Sequence, residues 1–300
     1  MIPSQYAQEG VAAPSTRQVA IVVPLSDRAV FTPDEEQSLA HLDHFLGRYD
    51  KYFAAPEGLT IERGGFALRS FPRKFFGSAA AHNQLLMWPQ FYKTFEEYEY
   101  ILIYHLDSLV FCDELARWCR TGWDYIGAPW VPCDATPWVK QAVVGNGGFT
   151  LMRVESVLRV LAARRRQRPL TYWSDLLVRN GRRLQPLFAA LARVEPLFDP
   201  SSIVRRVMQK WRASQDPATY GSNNDYFWSF EAARHVSSFK VATVQDGLRF
   251  AFEAAPRDCF EQNGRRLPFG CHAWAKFDRA FWEPYLLPPN TAAGRVRRHA

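Results

Sequence analysis

The sequence has no apolar stretch approaching the roughly 18–20 residues that cross a bilayer. Its opening, MIPSQYAQEGVAAPSTRQ, lacks the basic head and apolar block of a secretory signal. Cysteine is sparse: Cys112, Cys119, Cys133, Cys259 and Cys271 are odd in number and form no CxxC pair. That spacing disfavours a disulfide framework and fits reduced thiols in the cytoplasm. There is no Walker A sequence, no internal repeat, and no GxGxxG opening a helix. Helix-turn-helix, zinc-finger and RRM patterns are missing too, so nucleic acid is not an expected partner.

Positive charge is present but unevenly placed. The net charge is +7, and residues 151–215 hold 14 Lys or Arg against 4 Asp or Glu. The final GRVRRHA adds three arginines. Such a patch suits phosphate or an anionic membrane surface as well as plain solvent. Within it, IVRRVMQKW puts Ile203, Val204, Val207 and Trp211 near one helical face, with Arg205, Arg206, Lys210 and Arg212 around the others. A basic amphipathic helix can lie on a membrane, so peripheral contact with its inner face is a candidate, against packing on the protein's own domain.

The chain is 300 residues long, 47% hydrophobic and 15% aromatic, enough for a substantial core. QVAIVVPLS reads as a buried strand ending at Pro24. TPDEEQSLAHLDHFLGRY reads as a helix with Thr32 as cap, Pro33 at its first position and acids in its first turn. KYFAAP, FALRSFP and YEYILIYHLDSLVF are strand candidates. SAAAHNQLLMWPQFYKTF is a helix ended or bent near Pro89, and CDELARWCRTG a short one closed by Gly122. VESVLRVLAARRRQ and NNDYFWSFEAARH read as helices, FKVATV as a late strand, and DGLRFAFEA as a late helix. Alternating strands and helices predict an α/β domain with a mainly parallel central sheet flanked by helices. The expected organisation is a leader over 1–17, one domain over 18–288 with a basic insert over 165–220, and a basic tail over 289–300.

Polar residues set into apolar surroundings mark the candidate site. In such a sheet, ligands bind outside the carboxyl ends of the strands. Asp107 stands where an apolar strand ends, and a carboxylate there either meets a ligand or accepts backbone N–H bonds in a turn. VVGNGGFTLMR groups Gly145, Gly147 and Gly148 around Asn146, allowing a sharp turn or a close backbone approach. Asp225 opens a helix, where the dipole favours an ionised acid. His272 lies between aromatics in PFGCHAWAKF.

VAIVVPL, YEYILIYHLDSLVF, WDYIGAPW, GNGGFTLMR, NNDYFW and PFGCHAWAKFD, in this order, resemble the bacterial DUF5672 family, which itself is similar to glycosyltransferases of the GT-A fold. The resemblance implies a single GT-A-like domain and transfer of a sugar from a nucleotide-sugar to a hydroxyl acceptor, in bacterial surface glycan or glycoconjugate synthesis. A binding protein for nucleotide-sugar or glycan on the same scaffold is the alternative. It implies that Pro24, Leu25 and Ser26 meet the nucleotide and that Asp107 meets its ribose or a metal. Asn146, Gly147 and Gly148 would line the donor pocket, and Asp225 would be the catalytic base of an inverting reaction. A divalent cation, Mn2+ or Mg2+, would be held by Asp107 and His272. Leu109, standing where an Asp-x-Asp motif has its second acid, opposes that cation. The acceptor would be a glycan or a lipid-linked one.

Overall fold

The computed structural model describes residues 17–167, 181–199, 202, 204–205, 208 and 223–288. The leader up to Ser15 and Thr16, the tail over 289–300 and most of the basic insert lie outside the described residues. Of IVRRVMQKW, only Val204, Arg205 and Met208 are described. Among the described residues no helix is long and apolar enough to cross a membrane.

The chain opens with β1 (Arg17–Pro24), whose Val19–Val23 stretch is buried on both faces. A fully apolar run of that length is what a central parallel strand requires. The helix α1 (Pro33–Leu46) follows, with Thr32 and Glu35 closing a reciprocal capping box and Leu39, Leu42 and Leu46 turned inward. Next come β2 (Asp50–Pro56) and β3 (Phe66–Phe71). The predicted helix at 78–95 is two pieces, α2 (Ala79–Leu85) and α3 (Pro89–Lys93), parted before Pro89. Proline supplies no N–H to continue the ladder, so the second piece starts afresh there.

Then β4 (Tyr98–Tyr104) returns to pair with β1. The following pieces are β5 (Leu109–Val110), α4 (Leu115–Cys119), β6 (Tyr125–Gly127), β7 (Pro129–Trp130) and β8 (Val143–Val144). β9 (Phe149–Arg153) leads directly into α5 (Val154–Gln167), which packs on β4 and β9.

The main sheet has the order β3-β2-β1-β4-β9-β6. The first four strands are parallel, and β9 runs antiparallel to both its neighbours. The α/β architecture with a mainly parallel central sheet is therefore as expected. The chain builds outward from β1 to β2 and β3 on one side, then to β4 on the other. That reversal makes a switch point between β1 and β4, where an α/β sheet opens a crevice at its strand ends.

Two late expectations differ. FKVATV forms no strand: Val241 makes one isolated bridge to Tyr125, and Asp124 anchors the segment by accepting from Lys240 N–H at 2.8 Å. The helix read over 246–254 stops at Phe250, and the chain leaves it as β10 (Ala251–Phe252). β10 joins β11 (Gly270–Cys271) and β5 in a second, three-stranded sheet. The core locks the two sheets together around Phe149, which is wholly buried against Tyr104, Phe250 and Phe269. Truncating such a ring to Ala costs about 3–5 kcal/mol.

All five cysteines are free thiols. In the basic insert, the helix Gly181–Val194 buries Phe188 against Met208, so part of this segment packs on itself.

Candidate functional site

The switch point between β1 and β4 opens into a cleft of about 680 Å³. Pro24, Leu25 and Ser26, where β1 ends, form one part of its wall. His105, Leu106 and Asp107, just past β4, form another, and His82 of α2 and Trp274 complete that end. Its volume is typical of pockets for mid-sized organic ligands.

Asp107 is not on the strand itself. The backbone turns at His105–Ser108, closed by Ser108 N–H donating to His105 C=O at 3.0 Å. The turn is fastened to the glycine loop: the Gly148 carbonyl accepts from His105 N–H at 2.8 Å and from Ser108 Oγ at 3.3 Å. Asp107 is left about half exposed in the cleft, with Oδ1 3.2 Å from His272 Nε2.

The small sheet explains how residues so far apart in sequence meet. β11 pairs antiparallel with β5, Cys271 opposite Leu109, so the next residue, His272, arrives beside the Asp107 turn. β11 also pairs parallel with β10, Phe252 beside Cys271, so Glu253 emerges next to His272. Glu253 Oε1 lies 2.9 Å from His272 Nδ1. His272 is thus held between two carboxylates. Burial opposes its charge, but Asp107 and Glu253 outweigh burial and push the imidazolium up to about 10. Burial likewise works against an ionised Asp107, but the charge and hydrogen bond of His272 outweigh it and hold the acid below the usual carboxylate range.

His105 and His82 behave in the opposite way. Burial, together with the charge on His272, lowers His82 to about 4. Burial, His82 and His272 together drive His105 well below the ordinary imidazole range. Their Nε2 atoms lie 3.0 Å apart. Neutral imidazoles keep a lone pair, which a metal ligand needs. His105, Asp107 and His272 each offer a ligand atom within 4.8 Å of the others.

This rearranges the expected metal set. Leu109 is wholly buried in β5 and contributes nothing to the cleft. His105, two residues before Asp107, brings a ring nitrogen into the same cluster instead. The histidine in YHLDS was visible in the sequence, and a His-x-Asp step at a strand end was a usable signal for it. Nothing in the sequence flagged His82 or Glu253.

Each glycine of the loop makes room for a different neighbour. A Cβ on Gly148 would fall 2.1 Å from His272 Nε2, one on Gly147 3.3 Å from Asn224 Oδ1, and one on Gly145 2.3 Å from the Trp130 ring. Asn146 itself sits in the left-handed region at φ 43°. The resemblance placed Asn146 along the donor pocket, but the structure spends its amide internally. Its Oδ1 accepts from the Gly148 and Phe149 N–H groups at 2.9 and 3.2 Å, its Nδ2 donates to Glu253 at 2.6 Å, and the residue is buried. Asn146 holds the loop and Glu253 in place.

Asp225 lies on the far side of that loop, its Cβ within contact distance of a side chain placed at Gly147. It is not among the residues lining the cleft described above. The helix it opens runs over 224–235 with a π-helical turn at Phe227–Glu231. Asn224 is tied to α2 through Asn83 Oδ1, which accepts from Asn224 Nδ2 at 2.6 Å. Burial, with the Glu253 charge adding to it, raises Asp225 to about 6 despite the Tyr226 N–H donated to its carboxylate. The helix start that was expected to keep this acid ionised is outweighed by burial. Of the aromatics near these blocks, Trp130, Phe149, Trp228 and Trp274 are buried, while Trp138 is partly open.

The sequence matches the family described as a protein of unknown function, DUF5672, over residues 65–272, more than half of the chain. The chain belongs to the DUF5672 family. The matched span carries Asp107, the glycine loop and Asp225 and ends on His272, whereas Pro24–Ser26 of this DUF5672 protein precede it. No curated protein matches the chain by sequence. Among solved structures, the glycosyltransferase GlyE of Streptococcus pneumoniae TIGR4 overlaps 91% of the chain at 12% identity, with a TM-score of 0.42. Its apo form gives a TM-score of 0.39 at the same identity. The DUF5672 chain spans 61% of either pneumococcal chain. The mannosyltransferase PcManGT from Pyrobaculum calidifontis, in complex with GDP-Man and Mn2+, overlaps 93% of the chain and 87% of its own at 14% identity, with a TM-score of 0.33. Overlaps this loose leave the reading of the site to its own geometry.

Proposed function

We propose that this DUF5672 protein transfers a sugar from a nucleotide-diphosphate donor to a hydroxyl acceptor, with a divalent cation at His105, Asp107 and His272. The observation that carries the reading is the charge of the cleft. Four carboxylates line it, Asp27, Asp34, Glu35 and Asp107, against one guanidinium, Arg28. Arg28 is already paired with Glu35 at 2.5 Å, and Asp34 with Arg279. With Asp107 facing His272 as well, such a wall offers a diphosphate no attraction, and no free Lys or Arg stands among the described lining residues to neutralise it. A divalent cation held by His105, Asp107 and His272 would supply the missing positive charge.

The donor set suits such an ion: two imidazoles and one carboxylate leave positions for phosphate oxygens and water. When bound, the cation would neutralise charge on the leaving diphosphate. The chain's own residues do the rest. Pro24, Leu25 and Ser26 bound the space for base and ribose. Gly148 leaves the room that the His272 ring takes, and Gly147 lets the loop lie against Asn224 and Asp225. Asp225 takes the proton of the acceptor hydroxyl as that oxygen attacks, giving inversion at the anomeric carbon. The acceptor is a glycan or lipid-linked glycan, met on the cytoplasmic side, with the basic insert against the membrane.

A thermal-shift screen of nucleotide-sugars with and without Mn2+, followed by product assay, tests this. A donor present at 100 times its dissociation constant should stabilise the fold by about 2.7 kcal/mol. We expect that gain with Mn2+ and its loss in EDTA. Turnover undiminished by EDTA would remove the cation from the reading. Donor binding without transfer or hydrolysis would leave a sugar-nucleotide binding protein instead.

A further inference from the structure

We propose that Glu253 is a positioning residue of this site, setting through His272 how tightly the His105–Asp107–His272 cluster holds a divalent cation. The inference rests on the cation reading above. Its basis is geometric. Glu253 and His272 are carried side by side by the parallel pair β10–β11, one step beyond the Phe252–Cys271 register. The two side chains are 13% and 15% exposed, so neither swings freely. Burying a carboxylate costs free energy unless it is paired and hydrogen-bonded. Among the described residues the ion-pair partner of Glu253 is His272. No described Lys or Arg shares it.

The direction of the contacts decides what Glu253 does. With His272 Nδ1–H donated to Glu253 Oε1 at 2.9 Å, the other ring nitrogen, Nε2, is the one turned to Asp107 at 3.2 Å. Fixing one nitrogen of a histidine on a carboxylate fixes both the tautomer and the ring angle, and once a cation displaces the proton on Nε2 it makes that nitrogen a better donor. Asn146 completes the clamp by donating to the same Glu253 oxygen at 2.6 Å. Asn146 in turn receives the Gly148 and Phe149 N–H groups, and Gly148 leaves the gap that the His272 ring fills. The loop, the acid and the histidine are therefore one assembly whose outlet is the position of Nε2.

The test is Mn2+ binding by the full chain, read from the electron paramagnetic resonance signal of the free ion, with Mn2+ alone as the probe. Glu253→Gln keeps the shape and an oxygen that accepts from Nδ1–H, but loses the charge. Its dissociation constant should rise about 10- to 100-fold, the usual effect of altering such an outer partner, with the circular dichroism spectrum unchanged. If Glu253 only buttresses the loop, the variant would lose melting temperature and bind Mn2+ as the wild type does, which overturns the inference. Should Glu253→Gln fail to fold, Glu253→Asp answers the same question: the shorter acid keeps its charge but cannot reach Nδ1, so Mn2+ affinity should still fall, and unchanged affinity counts against us. A wild-type chain that binds no Mn2+ would sink the cation reading itself, a result distinct from either variant's.

Discussion

The turn at Asp107 and the helix start at Asp225 flank the same glycine loop, yet they treat a carboxylate in opposite ways. Asp107 faces a histidine held charged between two acids, and that pairing keeps it ionised far below its ordinary range. Among the described residues no cation lies within bonding distance of Asp225; burial and the nearby Glu253 raise it to about 6. The difference sorts two carboxylates by their surroundings, one held charged and the other raised toward neutral pH. Pairs of acids pushed apart in this way are what divided acid–base chemistry requires. Glu253 belongs to both regions, since its charge supports His272 and burdens Asp225.

The largest effect should come from removing the charged member. Asp107→Asn takes away the anionic ligand and the partner of His272 together. Transfer should fall below detection, and Mn2+ titration should show no binding while the fold survives. A variant that still turns over would place Asp107 outside the donor site.

Next in size is Asp225→Asn. Loss of a general base lowers turnover by about 10²–10⁴-fold, with donor affinity nearly unchanged. Measured kcat and donor dissociation constants separate this from Asp107→Asn, in which both collapse. A retained anomeric configuration in the product would also exclude Asp225 as the base of a single displacement.

The pH profile sharpens the contrast further. A base must be ionised, so kcat should climb about tenfold per unit below pH 6 and level off above it, following the raised value of Asp225. Asp107 stays charged throughout that window and contributes no limb to it. A profile flat between pH 5 and 7, measured over a range where the fold is stable, would break the comparison.

Much of this was legible in the sequence, for identifiable reasons. β1 and β4 each carry an unbroken apolar stretch, Val19–Val23 and Tyr100–Tyr104, and Thr32 with Pro33 announces α1, because strong local signals agree with the fold there. Asp107 stood out because a charge at the end of such a run needs an explanation. The small sheet was not legible. β5, β10 and β11 are two residues each, too short for any periodicity, and DGLRFAFEA reads as a continuous helix until Ala251. Glu253 and His82 were missed for that reason: their roles come from pairings across strands and helices distant in sequence. The amide of Asn146 was misread because a Gly-rich loop predicts closeness without saying to what. It faces Glu253 inside the protein.

The smallest expected effect concerns stability, and its sign opposes the activity loss. Asp225 has a folded-state value of about 6, against about 3.9 for a free aspartate. An acid raised on folding binds its proton more tightly in the native state. Its contribution is therefore most favourable below about pH 4, is lost as pH rises toward 6, and stays lost above. Two units at about 1.36 kcal/mol each set the ceiling, and partial solvent access reduces this to about 1–2 kcal/mol. Asn at 225 still accepts the Tyr226 N–H bond, made at 2.8 Å in the native chain, but never ionises. Asp225→Asn should thus be more stable than the wild type near pH 8 by a few degrees of melting temperature, with the advantage gone near pH 4. Asp107→Asn should run the other way. Its depressed carboxylate stabilises the fold above about pH 4 and loses that contribution only as pH falls through its lowered range. Melting curves of the three proteins across that range decide the matter. If both variants shift in the same direction at pH 8, the two regions do not differ as claimed, and Asp225 is only a first-turn acid of its helix.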